Sequence, residues 1–181
     1  MKEGMRFVDC DMHIIEPMDL FIRYLSSPFK DRVTTMVGAD GKAKGNWYID
    51  GVNPSEDTEI SQYRKPIRPL NNDSSILGAS LGNLTSSRLL ETGHMDFAID
   101  RNYNPEAQVM AMEMEGIDIA VLFPTNLLSL LCRNDMDPHM SMALCQAYNN
   151  WIHEFCQYSP DQLKWAAMLP VHDVNLACQE L

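Results

Sequence analysis

The chain has 181 residues, with 14 Lys+Arg against 25 Asp+Glu, a formal net charge of −11. Hydrophobic residues at 45% and charged residues at 22% are globular proportions, and the length suits one domain with a real core. So large an acidic excess has the wrong sign for a phosphate backbone or an anionic lipid surface, which excludes nucleic-acid binding and membrane-surface binding as functions.

The start, Met1-Lys2-Glu3-Gly4-Met5-Arg6-Phe7, lacks the apolar stretch of a targeting signal. The longest apolar stretches, residues 119–124 and 127–132, fall far short of the ~20 residues that span a bilayer. Cys10, Cys132, Cys145, Cys156 and Cys178 are odd in number and form no C-x-x-C pair, which fits reduced, mostly buried thiols. A soluble, cytoplasmic protein is expected.

Residues 5–13 read as a strand. Strict alternation puts Asp9, Asp11 and His13 on one face and Val8, Cys10 and Met12 on the other. Glu16-Pro17 then opens a helix whose apolar stripe is Leu20, Phe21, Tyr24 and Leu25, ended by Ser26-Ser27-Pro28. Across residues 38–104 Gly, Pro, Ser and Asn are frequent and long periodic runs disappear, so this stretch is expected to be an irregular insertion. Within it only residues 46–51 suggest a short strand and turn.

Order returns at Asn104-Pro105-Glu106, an N-cap followed by proline and an acid. The helix runs through Ala107, Met110, Ala111 and Met114 to Gly116 as C-cap. Residues 117–123 form an apolar run typical of a strand covered on both faces. Asp137-Pro138 starts the next helix, with Leu144, Ala147, Tyr148, Trp151, Ile152 and Phe155 on one face. A strand over residues 165–171 follows, and Asp173 caps a last helix with Val174, Ala177, Cys178 and Leu181 facing a core. Strand and helix alternating in this way build a parallel sheet, here of three units. A closed (β/α)8 barrel needs eight strands in about 250 residues. The stop on a core-facing leucine is an unexpected place for a natural terminus.

Asp11-Met12-His13 carries the strongest chemistry. Two metal-capable side chains separated by one residue on a strand project the same way and reach one divalent ion, at the strand end where βα barrels build active sites. The same spacing also fits an Asp–His pair hydrogen-bonded in a core.

The run Phe7-Val8-Asp9-Cys10-Asp11-Met12-His13-Ile14-Ile15-Glu16-Pro17 resembles the opening of the amidohydrolase 2 family, the branch of the amidohydrolase superfamily that includes aminocarboxymuconate-semialdehyde decarboxylase. Met114-Glu115-Gly116-Ile117-Asp118-Ile119-Ala120-Val121-Leu122-Phe123-Pro124 and Leu163-Lys164-Trp165-Ala166-Ala167-Met168-Leu169-Pro170 are similar to later segments of that family. The resemblance implies a metal-dependent (β/α)8-barrel enzyme that hydrolyses or decarboxylates small carboxylated substrates. It carries over Asp11 and His13 as paired metal ligands. Much of the superfamily has histidine at both places, so Asp11 makes the donor set harder; zinc is the expected ion, with manganese or magnesium beside it. The other ligands and the catalytic histidine that the resemblance implies come from the second half of a barrel, beyond Leu181.

Other residues carry weaker signals. His172 follows the third strand at the same end of the sheet and is a candidate for substrate binding, against a plain loop role beside the cap Asp173. Arg101 and Lys65 are candidates to pair with a substrate carboxylate, against solvation at the surface. His94 lies in the insertion. His153-Glu154 lacks the second histidine of a metalloprotease helix, because Gln157 stands there, so a solvated histidine is expected. Glu16 either hydrogen-bonds near the Asp11–His13 motif or marks the start of the helix. No cysteine has a recognisable base, and Met110, Met114 and Met142 read as core packing. Phosphate loops and nucleophile elbows are absent from the sequence.

The expected fold is thus α/β: one domain over residues 1–181, the amino-terminal part of a (β/α)8 TIM barrel with an insertion at about 38–104. The expected function is a metal-dependent hydrolase or non-oxidative decarboxylase of a small carboxylated substrate, with Asp11 and His13 on the metal. The alternative is a non-catalytic, truncated half-barrel that self-associates into a homo-oligomer or binds a partner, because an open parallel sheet exposes an edge and an apolar face.

Overall fold

The computed structural model describes residues 4–37, 43–53, 96–128 and 133–181. In chain order the elements are strand β1 (Val8–Ile14), helix α1 (Leu20–Tyr24), a 3-10 turn (Phe29–Arg32), strands β2 (Val33–Val37) and β3 (Ala43–Ile49), and helices α2 (Asp96–Asp100) and α3 (Pro105–Glu115). Strand β4 (Ile119–Pro124), helix α4 (Pro138–Cys156), strand β5 (Leu163–Trp165) and helix α5 (Val174–Glu180) complete them. The main sheet has the order β1–β4–β5 with both pairings parallel, and β2 and β3 form a separate antiparallel pair. The protein is therefore mixed α/β around a parallel sheet.

Three helix starts follow the sequence closely, but α1 begins at Leu20 rather than at Glu16-Pro17, with Asp19 at its N-cap and no side-chain cap bond. The Asn104 side chain accepts the Ala107 N–H at 3.0 Å, and Gly116 closes α3 at φ 78°, a left-handed value that favours glycine. The Asp137 carboxylate accepts the His139 N–H at 3.0 Å, and Asp173 accepts the Leu176 N–H at 3.0 Å. Each satisfies a donor that the first helical turn leaves open.

The core lies between the sheet and α1 and α4. Ala120 and Leu122 of β4 are fully buried, as are Leu144, Ala147, Tyr148 and Ile152 of α4, with Leu20 and Phe21 of α1 completing the layer. All belong to one apolar cluster, in which truncating a single leucine to alanine costs about 2–5 kcal/mol. The opposite residues of β4, Ile119, Val121 and Phe123, are only partly covered.

Several expectations change. The third strand is Leu163–Trp165 rather than residues 165–171; beyond it the backbone leaves the ladder, and Asn149 holds Met168 through its N–H and carbonyl at 2.9 Å each. The expected insertion holds more order than its composition shows: β3 and α2 fall inside it, β2 ends just before it, and residues 38–42 and 54–95 lie outside the described ones. Met114 is 64% exposed, because α3 packs through Ala107, Val109 and Met112 instead. The apolar side of α5 is open, with Val174 and Leu181 exposed. Cys145 and Cys156 are buried, and burial pushes their thiols up to about 12 and about 11, but Cys10 and Cys178 are exposed. Among the described residues no helix is long and apolar enough to cross a membrane.

Charged side chains fasten the β2–β3 pair to the start of α4. Arg32 makes two 2.8 Å bonds to Asp50 and a third to Asp137. Its guanidinium holds both carboxyls below the usual carboxylate range. Arg133, nearly buried, grips Asp135 with two nitrogens and donates to the Ile49 carbonyl at 3.0 Å.

Candidate functional site

The carboxyl ends of β1 and β4 lie side by side, with His13 opposite Phe123 and Ile14 opposite Pro124. In parallel βα sheets this edge is where ligands bind, because the loops that follow the strands converge there. The alternation expected along β1 does not hold throughout. Asp9 pairs with Ala120 and Met12 with Leu122, so three steps on β1 match two on β4, a bulge at Cys10-Asp11. Asp9 therefore shares the side of Ala120, while His13 shares the side of Phe123. The Asp9 carboxylate spends itself locally, accepting the Asp11 N–H at 3.0 Å.

Asp11 and His13 do come together. The His13 Nε2 lies 3.7 Å from Asp11 Oδ1, with the side chains 43% and 80% exposed respectively. The His13 Nδ1 is 2.8 Å from the Pro124 carbonyl. A carbonyl only accepts, so Nδ1 carries the proton and a neutral His13 keeps the Nε2 lone pair free. The Phe123 ring stands 6.3 Å away, centroid to centroid. The result is an imidazole nitrogen and a carboxylate oxygen, close together and open to solvent, a pair whose chemistry could supply two donors to a divalent ion. Among the described residues no third histidine, cysteine or carboxylate joins them.

Glu16 is the residue whose role the sequence leaves open. It is 1% exposed, and its carboxylate accepts the N–H groups of Thr125 (2.9 Å), Asn126 (2.9 Å) and Leu127 (3.2 Å). It clamps the loop that follows β4, next to the Pro124 carbonyl that holds His13. The sequence signal is a lone acid between Ile15 and Pro17; its partners are backbone groups, which no side-chain pattern announces. Tyr148 is buried nearby, and burial, with the Glu16 charge adding to it, raises its phenol. Its hydroxyl and that of Thr125 have no hydrogen-bond partner among the described residues.

The weaker candidates lie elsewhere. His172 has both ring nitrogens engaged: Nε2–H donates to the Arg133 carbonyl, and Nδ1 is 2.9 Å from the Ser141 hydroxyl. Arg101 donates to the Phe97 carbonyl at 3.1 Å and lies 3.4 Å from Glu106. His153 is exposed, its ring 6.1 Å from that of Trp165. Lys65 and His94 lie outside the described residues.

No family model matches the sequence, and no curated protein does. Among solved structures, the chain is similar to an amidohydrolase from Mycobacterium avium subsp. paratuberculosis K-10, with a TM-score of 0.60 and 22% sequence identity. The similarity covers 98% of this chain and 46% of that one. At that identity the shared property is the fold, and the chain spans about half the length of the protein it matches.

Proposed function

We propose that this chain carries part of the active site of a metal-dependent hydrolase or non-oxidative decarboxylase of the amidohydrolase 2 type, built on a (β/α)8 scaffold and acting on a small carboxylated substrate. One observation carries the reading: at the carboxyl edge of the sheet, His13 is held through Nδ1 so that Nε2 stays free beside the open Asp11 carboxylate. The fold likeness to an amidohydrolase and the motif Asp11-Met12-His13 support it.

His13 Nε2 and the Asp11 carboxylate would hold the ion, and one nitrogen with one oxygen donor suits zinc, with manganese or magnesium beside it. Catalytic zinc generally has three protein ligands, so a further ligand comes from outside the described residues. When bound, such an ion polarises a carbonyl or carboxylate oxygen and acidifies water. The protein's own part is positional. Pro124 fixes the imidazole, and Phe123 supplies an apolar wall beside it. The exposure of Asp11 leaves room for substrate.

The test is turnover of a panel of small carboxylated amides, lactones and aromatic acids by zinc- or manganese-loaded protein, following hydrolysis and carbon dioxide release. Metal-dependent turnover that is lost in His13→Ala supports the reading. No turnover with any metal, or turnover unchanged in His13→Ala, overturns it.

A second reading rests on a different observation. Among the described residues β1 is paired only on its β4 side, and Phe7 and Val8 beside that edge are 43% and 55% exposed. An open apolar strand edge favours association with another chain, so a non-catalytic, self-associating role is the alternative. Sedimentation as a monomer at high concentration counts against it.

A further inference from the structure

Glu16 and His13 hold opposite ends of one peptide group. The Pro124 carbonyl accepts from His13 Nδ1 at 2.8 Å, and the Thr125 N–H of the same peptide unit donates to Glu16 Oε1 at 2.9 Å. Among the described residues the only cis peptide is Ser27-Pro28, so the Pro124–Thr125 unit is trans, with its C=O and N–H pointing in opposite directions from one rigid plane. Rotating that plane breaks both bonds together. The Glu16 carboxylate is itself fixed, since the Asn126 and Leu127 N–H groups occupy it as well, and at 1% exposure no bulk water replaces them.

We infer that Glu16 is the positioning residue of this site: acting through the Pro124–Thr125 peptide group, it fixes His13 in the Nδ1–H form and leaves Nε2 as the donor nitrogen. Two effects combine. The clamp sets the direction of the Pro124 carbonyl, and a carboxylate accepting from the N–H pushes electron density towards that carbonyl oxygen, which makes it a stronger acceptor for His13. A neutral histidine side chain in water prefers its proton on Nε2, the nitrogen that has to be bare here to bind a metal. Ligating histidines commonly take this support directly from a carboxylate or a carbonyl; here the carboxylate acts one peptide unit further away. What Nε2 then binds rests on the proposed function, whereas the proton position does not.

The experiment is long-range 1H–15N spectroscopy of the full chain with labelled histidine, at a pH where the ring is neutral, alongside zinc titration. The wild type is expected to show a pyrrole-type Nδ1 and a pyridine-type Nε2 at His13. Glu16→Gln keeps the size but offers one acceptor oxygen and turns an amide NH2 towards backbone donors. It is expected to give mixed forms and to weaken zinc binding by roughly 10- to 100-fold. If that variant fails to fold, Asn126→Pro carries the test. It removes one donor to Glu16 at the first residue of a 3-10 turn, where proline is accepted, while Asn126→Ala keeps the donor. Mixing in Asn126→Pro but not in Asn126→Ala supports the inference. A Nε2–H wild type, or a folded Glu16→Gln or Asn126→Pro that keeps Nδ1–H alone, overturns it. If the wild type is Nδ1–H, the variants mix and no protein binds zinc, the positioning role stands and the proposed metal function fails.

Discussion

Two carboxylates flank His13 and live in opposite surroundings. Asp11, two residues before it, is 80% exposed, with one carboxylate oxygen 3.7 Å from His13 Nε2. Glu16, three residues after it, is 1% exposed and saturated by three backbone N–H groups. The same chemical group is thus left available on one side and locked on the other. An exposed, under-used acid contributes little to folding and is free to bind. A buried, saturated one is structural, because the donors it satisfies have no substitute partner. The contrast separates the part of this edge proposed to bind from the part that shapes it.

The contrast breaks most readily at Glu16. Glu16→Ala is expected to cost about 3 kcal/mol or more in urea unfolding, since it strands several backbone donors, whereas metal-free Asp11→Ala is expected to stay within about 0.5 kcal/mol. Equal costs would erase the distinction. Next in size is the metal effect: zinc at about a hundred times its dissociation constant is expected to stabilise the wild type by about 2.7 kcal/mol. His13→Ala is expected to show no such gain in a thermal-shift titration.

A third comparison sets this edge against the ion pairs at the β2–β3 hairpin. Arg32→Met is expected to cost about 1 kcal/mol, because the carboxylates it binds are more than a third exposed. Arg32 lowers the Asp50 and Asp137 values in the folded state. Groups with depressed folded values add stability that is fully present above their unfolded values and is lost as pH falls through the folded ones. The gap between wild type and Arg32→Met is therefore expected to close below about pH 4. The smallest effect is expected for Tyr148→Phe, within about 0.5 kcal/mol, because the hydroxyl has no partner to lose among the described residues. A loss of 2 kcal/mol there would mean that the hydroxyl is bonded after all.

What the sequence makes legible is what local rules determine. Asn104, Asp137 and Asp173 cap the helices they precede, and the stripe of α4 packs as its period indicates. Asp11 and His13 are adjacent as the D-x-H spacing requires. Misreadings arise where long-range pairing overrides period. The bulge at Cys10-Asp11 turns Asp9 away from His13, and nothing in a perfect alternation shows it. Met114 has the right spacing for a core that lies on the other side of α3. Strand β3 lies in a stretch whose composition reads as irregular, where only residues 46–51 suggest a strand; β2 ends just before that stretch, and the antiparallel pairing of the two is a long-range feature that composition does not show. For Glu16 the sequence leaves two roles open, a hydrogen bond near the Asp11–His13 motif or the start of the helix, and cannot choose between them because its three partners are main-chain groups.

The Asp11–His13 site is tested head-on by metal content per chain, measured by plasma mass spectrometry on zinc-incubated, gel-filtered protein, for wild type, Asp11→Ala and His13→Ala. Close to one ion per chain is expected in the wild type, with its loss in both variants. Metal absent from the wild type, or retained equally in both variants, would contradict that site.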